Sequence, residues 1–221
     1  MEKAKNVVEF YLFCNELKHL IRTGWRDWHV DSDRLESVAE HIYGVEMLAI
    51  AIYSEYDFDI DLKKVVMMLA LHELEEIVIG DLTQFQISRE EKARLGHEAV
   101  RDVLAPLTIH DDLEKFVFEF DERKTKEARF AYFCDKLECD IQAKLYDLDG
   151  AVSLEKQEDN ISFYDQRVQE LLSTDSSWST MWLTFSQEKY HYNPEFLEIS
   201  NYVLEHDLNV EKKKLKEIQK K

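Results

Sequence analysis

Apolar residues recur at helical intervals along almost the whole chain. Val7, Phe10, Tyr11, Phe13, Leu17, Leu20 and Ile21 share the spacing of one helix face, predicting a first helix that ends near Arg22-Thr23-Gly24-Trp25, where the glycine releases the chain into a loop. A second helix is expected over 36–56 and a third over 61–79, the latter stopped by Gly80. The third is apolar on most faces, as buried helices are. Its ionisable residues His72, Glu73 and Glu76 therefore need partners or a metal. Ser88 and Glu91 form a capping-box pattern opening a fourth helix to about 105, and Asp111 or Asp112 caps a fifth to about 121. Thr125 starts a long sixth carrying Phe130, Phe133, Leu137, Ile141 and Leu145. After a polar stretch through Asn160, two or three more helices follow. Asn193-Pro194 opens the last, with Asn as cap and Pro in the first turn. No strand pair, repeat or low-complexity linker stands out. The expected fold is all-α: a single compact bundle with a core over 1–150 and C-terminal helices over 151–221 packing on the same domain.

Composition narrows the function. With 5 Gly and 2 Pro in 221 residues, a fold rich in tight turns lacks its usual turn formers. A formal charge of −18 argues against nucleic-acid polymers, whose phosphates are held by clustered Lys and Arg; small phosphorylated ligands remain open if a cation is bound. The lysines from Lys212 onward read as a solvated helix end, where positive charge suits the helix dipole. Three cysteines without a C-x-x-C give neither a disulfide framework nor a zinc knuckle, and fit reducing, cytoplasmic surroundings. The N-terminal run is broken by charge too often for a signal peptide, and no apolar stretch approaches a membrane span.

His72, Glu73 and Glu76 lie at i, i+1 and i+4, so one helical turn offers an imidazole and two carboxylates. Alone, such a pattern is more often surface charge. His41 and Asp135, however, also interrupt otherwise apolar helices. Either one singly is more often a hydrogen-bonded core residue, but burying two histidines and several carboxylates without a cation would be expensive.

The segments RTGW, ESVAEH, LALHELEEIVIGDLTQ, EEKARLGHEAV and FCDKLECDIQA, in this order and spacing, resemble the HD-domain hydrolases, specifically their 5'-deoxynucleotidase branch. Weaker likeness continues through ISFY and HYNPEFLEI. The resemblance implies a divalent metal, whether Mn, Co, Mg, Zn, Fe or Ni, held by His41, His72, Glu73 and Asp135. At the third of these positions the family carries Asp, and Glu73 is one methylene longer. It further implies that Glu76 orients or deprotonates a water, that Asp81 serves proton transfer or a second metal, and that Arg22 clamps phosphate. Trp25 stands near the family's sugar- and base-contacting aromatic, with packing as its alternative. The implied reaction is hydrolysis of a nucleoside 5'-monophosphate, first among them a 2'-deoxynucleotide. The rival is a regulatory nucleotide-binding protein that has lost turnover. The segment SSWSTMWLTF is either core or the surface of a homodimer.

Overall fold

The computed structural model describes residues 1–83, 85–174 and 177–220, without the side chain of Arg89. Among them the structure is all-α, with one isolated bridge between Ile21 and Ser37. Contacts divide the chain into two units: residues 1–26 with 34–135, and residues 27–33 with 136–221.

The first unit begins with α1 (Glu2–Asn15) and a 3₁₀ turn (Glu16–Lys18). Only part of the first apolar stripe is core: Leu17 is buried, whereas Val7 and Tyr11 are exposed, as are Val8 and Leu12 outside it. The chain then bends, with Val38 N–H donating to Leu20 O and Arg22 N–H to Glu36 O. Thr23-Gly24-Trp25 does not enter a loop; it forms the short helix α2 (Thr23–Asp27), whose first amide, on Thr23, donates to Asp81 Oδ2 at 2.6 Å. The missing signal was long-range, since a carboxylate 58 residues away satisfies that amide.

α3 (Val38–Glu55) opens with a full capping box: Ser37 Oγ accepts from Glu40 N–H, and Glu40 Oε2 accepts from Ser37 N–H. α4 (Leu62–Leu71) is capped by Asp61, which accepts from the Lys63 and Lys64 amides. The predicted third helix is broken here. Residues 72–75 form a tightened turn, with Leu74 N–H bonded to Leu71 O and Glu76 N–H to Glu73 O, before α5 (Glu76–Ile79) resumes. Leu69 O accepts from the His72 ring at 2.7 Å, which favours the tight turn over a regular one. Apolar periodicity, unbroken through the region, carries no trace of this. Gly80, at φ 76, stops α5 as expected.

α6 (Arg89–Leu104) starts from Ser88, whose Oγ accepts from Glu91 N–H, and α7 (His110–Glu122) follows from Ile109 without the side-chain cap expected of Asp111 or Asp112. α8 (Lys126–Leu148) starts where Thr125 Oγ1 accepts from Ala128 N–H. The core of this unit joins Leu71, Leu74, Val100, Val103, Leu104 and Val117, with Phe10 and Phe13 of α1 laid against it.

In the second unit Trp28 meets Trp178 at 5.7 Å, Trp182 at 6.4 Å and Phe163 at 6.3 Å between ring centroids. Gln157 Nε2 donates to Trp28 O, tying the 27–33 strap to this unit. Its helices are α9 (Gln166–Thr174), α10 (Trp178–Tyr190), α11 (Pro194–Glu205) and α12 (Asn209–Ile218). Asn193 caps α11 by accepting from Phe196 N–H, but α11 is not the last helix; α12 follows, with its lysines in solvent. Trp178, Met181 and Leu183 are buried, so the SSWSTMWLTF segment supplies core here; its Ser176 lies outside the described residues.

Also buried here is Asp140, which accepts from Tyr192 Oη–H at 2.8 Å. Burial pushes its carboxyl up to about 7, against hydrogen bonds from Ser186, Tyr192 and Trp182. The folded state thus holds this proton more tightly than the unfolded chain, whose value is 3.8, so the contribution of Asp140 is most favourable below about pH 4 and declines as pH climbs towards 7. Asp140→Asn keeps the shape and removes the titration. Its melting temperature is expected to change less between about pH 4 and 7 than that of the parent, measured by calorimetry. Equal pH slopes would assign the effect to another group.

Candidate metal and phosphate site

Three helical segments of the first unit deliver the candidate ligands. His41 comes from the second turn of α3, Asp135 from the middle of α8, and His72 and Glu73 from the tight turn after α4. One ligand atom from each of the four lies within 4.8 Å of all the others, and all four residues are buried. His41 Nε2 is 3.2 Å from Asp135 Oδ1 and 3.8 Å from Glu73 Oε1, while His72 Nε2 is 3.5 Å from the same Glu73 oxygen. Atoms ringed about an ion at about 2 Å stand roughly 3 to 3.5 Å apart, close to these separations.

The tautomer of His72 is fixed by its partner. A carbonyl oxygen can only accept, so the proton sits on Nδ1, donated to Leu69 O, and Nε2 carries a bare lone pair. Burial, opposed by the Glu73 and Asp135 carboxylates, holds the ring's pKa below its ordinary value, which favours the neutral form. Nε2 is buried and has no hydrogen-bond partner. A neutral imidazole aimed into a ring of carboxylate oxygens, with nothing to accept from, is what a divalent ion satisfies. The residues therefore fit the metal that the sequence implied.

The longer side chain of Glu73 keeps its carboxylate within this cluster. Its Oε1 reaches both histidines and accepts from Arg22 Nη1 at 3.3 Å. Burial would raise its carboxyl, but the Lys92 and Arg22 cations bring it below the ordinary carboxylate range. Glu76 stands in the next turn, buried, with Oε1 3.2 Å from Lys92 Nζ and Oε2 without a hydrogen-bond partner. Burial, then Glu73 and Asp81, push Glu76 well above the usual carboxylate range. Asp81 is tied to the start of α2, where its Oδ2 accepts from Thr23 N–H. Trp25 is 2% exposed, and its indole N–H donates to Glu36 Oε2 at 2.8 Å, the packing alternative named from the sequence.

Sequence reasoning gave no role to two further charged residues of this cluster, Lys92 and Glu75. A signal for Lys92 did exist: it precedes Gly96, Ala99, Val100 and Val103 at i+4, i+7, i+8 and i+11, on the buried face of α6. Gly96 in turn leaves room for Glu75, whose Cγ would stand 3.2 Å from a Cβ at that position.

Among known proteins, residues 14–174 match the family described as HD domain. A 5'-deoxynucleotidase HDDC2 of Dictyostelium discoideum is 32% identical over 152 residues, 64% of this chain and 78% of that protein. The protein of the same name in Homo sapiens is 29% identical over 147 residues, 65% of this chain and 70% of that one. A conserved hypothetical protein of Pyrococcus furiosus, 25% identical, superposes with a TM-score of 0.58 over 89% of this chain and 98% of its own. A protein of Magnetospirillum magnetotacticum, titled a predicted metal-dependent phosphohydrolase, shares the fold at 18% identity, with a TM-score of 0.56 over 92% of this chain and 97% of its own. With the match covering most of the chain and a buried His-Glu-Asp ring at its centre, the chain belongs to the HD domain family.

Proposed function

We propose that the chain is a metal-dependent phosphohydrolase that releases phosphate from nucleoside 5'-monophosphates, with 2'-deoxynucleotides the preferred class. The observation that carries this reading is the bare, buried Nε2 of His72 facing Glu73, beside His41 and Asp135. The substrate class is supported by relatives named 5'-deoxynucleotidase in organisms as distant as Dictyostelium discoideum and Schizosaccharomyces pombe. Two imidazoles among the donors favour Mn, Fe, Co, Ni or Zn over Mg, which prefers an all-oxygen shell.

His41, His72, Glu73 and Asp135 would hold the ion, which when bound supplies Lewis acidity at phosphate oxygen and a more acidic water. Arg22 takes the phosphate: its guanidinium is planar and always charged, and its side chain is only 13% exposed, so little water competes for it. Glu76 accepts the proton of the attacking water at Oε2, for which a carboxylate with a raised pKa is suited near neutral pH. The water oxygen bonds to phosphorus, the bond from phosphorus to the sugar oxygen breaks, and that oxygen leaves with the proton that Glu76 took from the water. Asp81 stands on the proton-transfer path. Trp25, buried and bonded to Glu36, packs beneath the segment that carries Arg22 rather than meeting base or sugar. The regulatory alternative rested on the departure at Glu73, and loses force because Glu73 Oε1 reaches both histidines.

Three outcomes test the proposal. Purified protein should carry a divalent ion by elemental analysis and release phosphate from nucleoside monophosphates in a panel screen; a parent silent on every nucleotide in all the metals above would favour the regulatory reading. Glu73→Gln should lower metal content and turnover together, whereas Glu73→Asp should keep or improve both. If the Gln variant binds metal as the parent does, Glu73 is not a ligand. In metal-loaded protein, where the ion offsets the Glu73 charge, Arg22→Ala should lower kcat/KM by about tenfold or more while moving the melting temperature by only a few degrees. A large loss of stability with unchanged kinetics would give Arg22 to the fold.

A further inference from the structure

Lys92 is the charged group nearest the proposed chemistry to which neither the motifs nor the matched relatives' names give a role. Its Nζ lies 3.2 Å from Glu76 Oε1 and 3.3 Å from the carbonyl oxygen of Leu82. One ammonium thus brackets α5, which carries Glu76, and the loop just past Asp81, holding both against α6. Four carboxylates bear on it: Glu73, Glu76, Glu75 and Asp81, in falling order of influence.

The two oxygens of Glu76 are treated differently. Oε1 is held by Lys92, while Oε2 is buried and has no hydrogen-bond partner. A buried ion pair serving only the fold would be expected to satisfy both oxygens, because leaving a buried acceptor unmet is costly. One oxygen fixed and one left bare is the arrangement of a proton acceptor that must point in a set direction.

We propose that Lys92 is a positioning residue: by gripping Glu76 Oε1 and Leu82 O it fixes the rotamer of Glu76, so that Oε2 meets the attacking water. This rests on the phosphohydrolase reading above. Lys92 does not itself contact substrate. Phosphate is held by Arg22, and the effect of Lys92 falls on the rate of the chemical step.

Kinetics of metal-loaded variants test this. Lys92→Met removes the ammonium at similar length; it should lower kcat by about ten- to a hundredfold with KM changed by less than about threefold and metal content as in the parent. Lys92→Arg, which keeps charge and donors, should recover much of the loss. In a double-mutant cycle, Lys92→Met added to Glu76→Gln should cause no further loss of kcat, since the group it positions is already gone. That pair leaves no unpaired buried carboxylate at Glu76, so it remains readable even if the single Met variant does not fold. A raised KM at constant kcat would make Lys92 a phosphate-binding cation. Unchanged kinetics, or losses that add in the double variant, would make it a structural partner only. Each of these overturns the proposal while leaving the phosphohydrolase reading intact. A parent without phosphate release on any nucleotide would instead overturn that reading, and this proposal with it.

Discussion

Carboxylates repel one another, and they do so most where water is excluded. The first unit nevertheless gathers Glu73, Glu75, Glu76, Asp81 and Asp135 around the end of one apolar helix. Among the described residues, Arg22 reaches Glu73 and Lys92 reaches Glu76. They do not balance the set: burial and mutual repulsion still push Glu75 and Glu76 well above the ordinary carboxylate range. A divalent ion among His41, His72, Glu73 and Asp135 would supply the missing charge where the donor atoms crowd most closely. Local structure follows the same constraint. The turn at 72–75 gives His72 Nδ1 a carbonyl partner and leaves Nε2 bare for the ion.

The site shows a division of labour among like groups. Glu73 and Glu76 are three residues apart and equally acidic in isolation, yet their surroundings separate them. The Lys92 and Arg22 cations hold Glu73 below the ordinary carboxylate range, while burial and neighbouring carboxylates drive Glu76 in the opposite direction. The contrast comes from position alone: Glu73 faces Arg22 and His72, and Glu76 is packed against other acids with one oxygen held by Lys92.

Legibility from sequence tracked the range of the interactions involved. The caps at Ser88 and Asn193 and the stop at Gly80 are local, and each was read from residues a few positions apart; the capping box at Ser37 is as local but went unread. His41, His72, Glu73 and Asp135 stood out because ionisable residues interrupted apolar helices, and the structure gathers them within 4.8 Å. Features decided by partners distant in sequence were hidden. Thr23 N–H meets Asp81, which turns an expected loop into α2. The break of the third helix was hidden for a different reason: the His72 ring bonds a carbonyl only three residues back, a side-chain preference that hydrophobic periodicity does not record. The exposure of Val7 and Tyr11 in α1 was equally invisible, since a stripe of apolar residues does not say how much of it a partner covers. Lys92 was missed because lysine on a helix is ordinarily solvated; only its register with Ala99 and Val100 marks it as inward.

The setting of Arg22 and Lys92 also bears on encounter kinetics. Both are largely enclosed, with side chains 13% and 29% exposed, whereas the chain as a whole carries −18. An incoming phosphate dianion is therefore repelled at long range and attracted only within the last few ångströms, where the enclosed cations and a bound ion take over. Mobile ions damp the first effect far more than the second, because the Debye length shrinks to about 8 Å at physiological ionic strength while the short-range contacts lie inside it. Capture of substrate should then quicken as salt is added from low levels, the reverse of the electrostatic steering that enzymes with basic clefts enjoy.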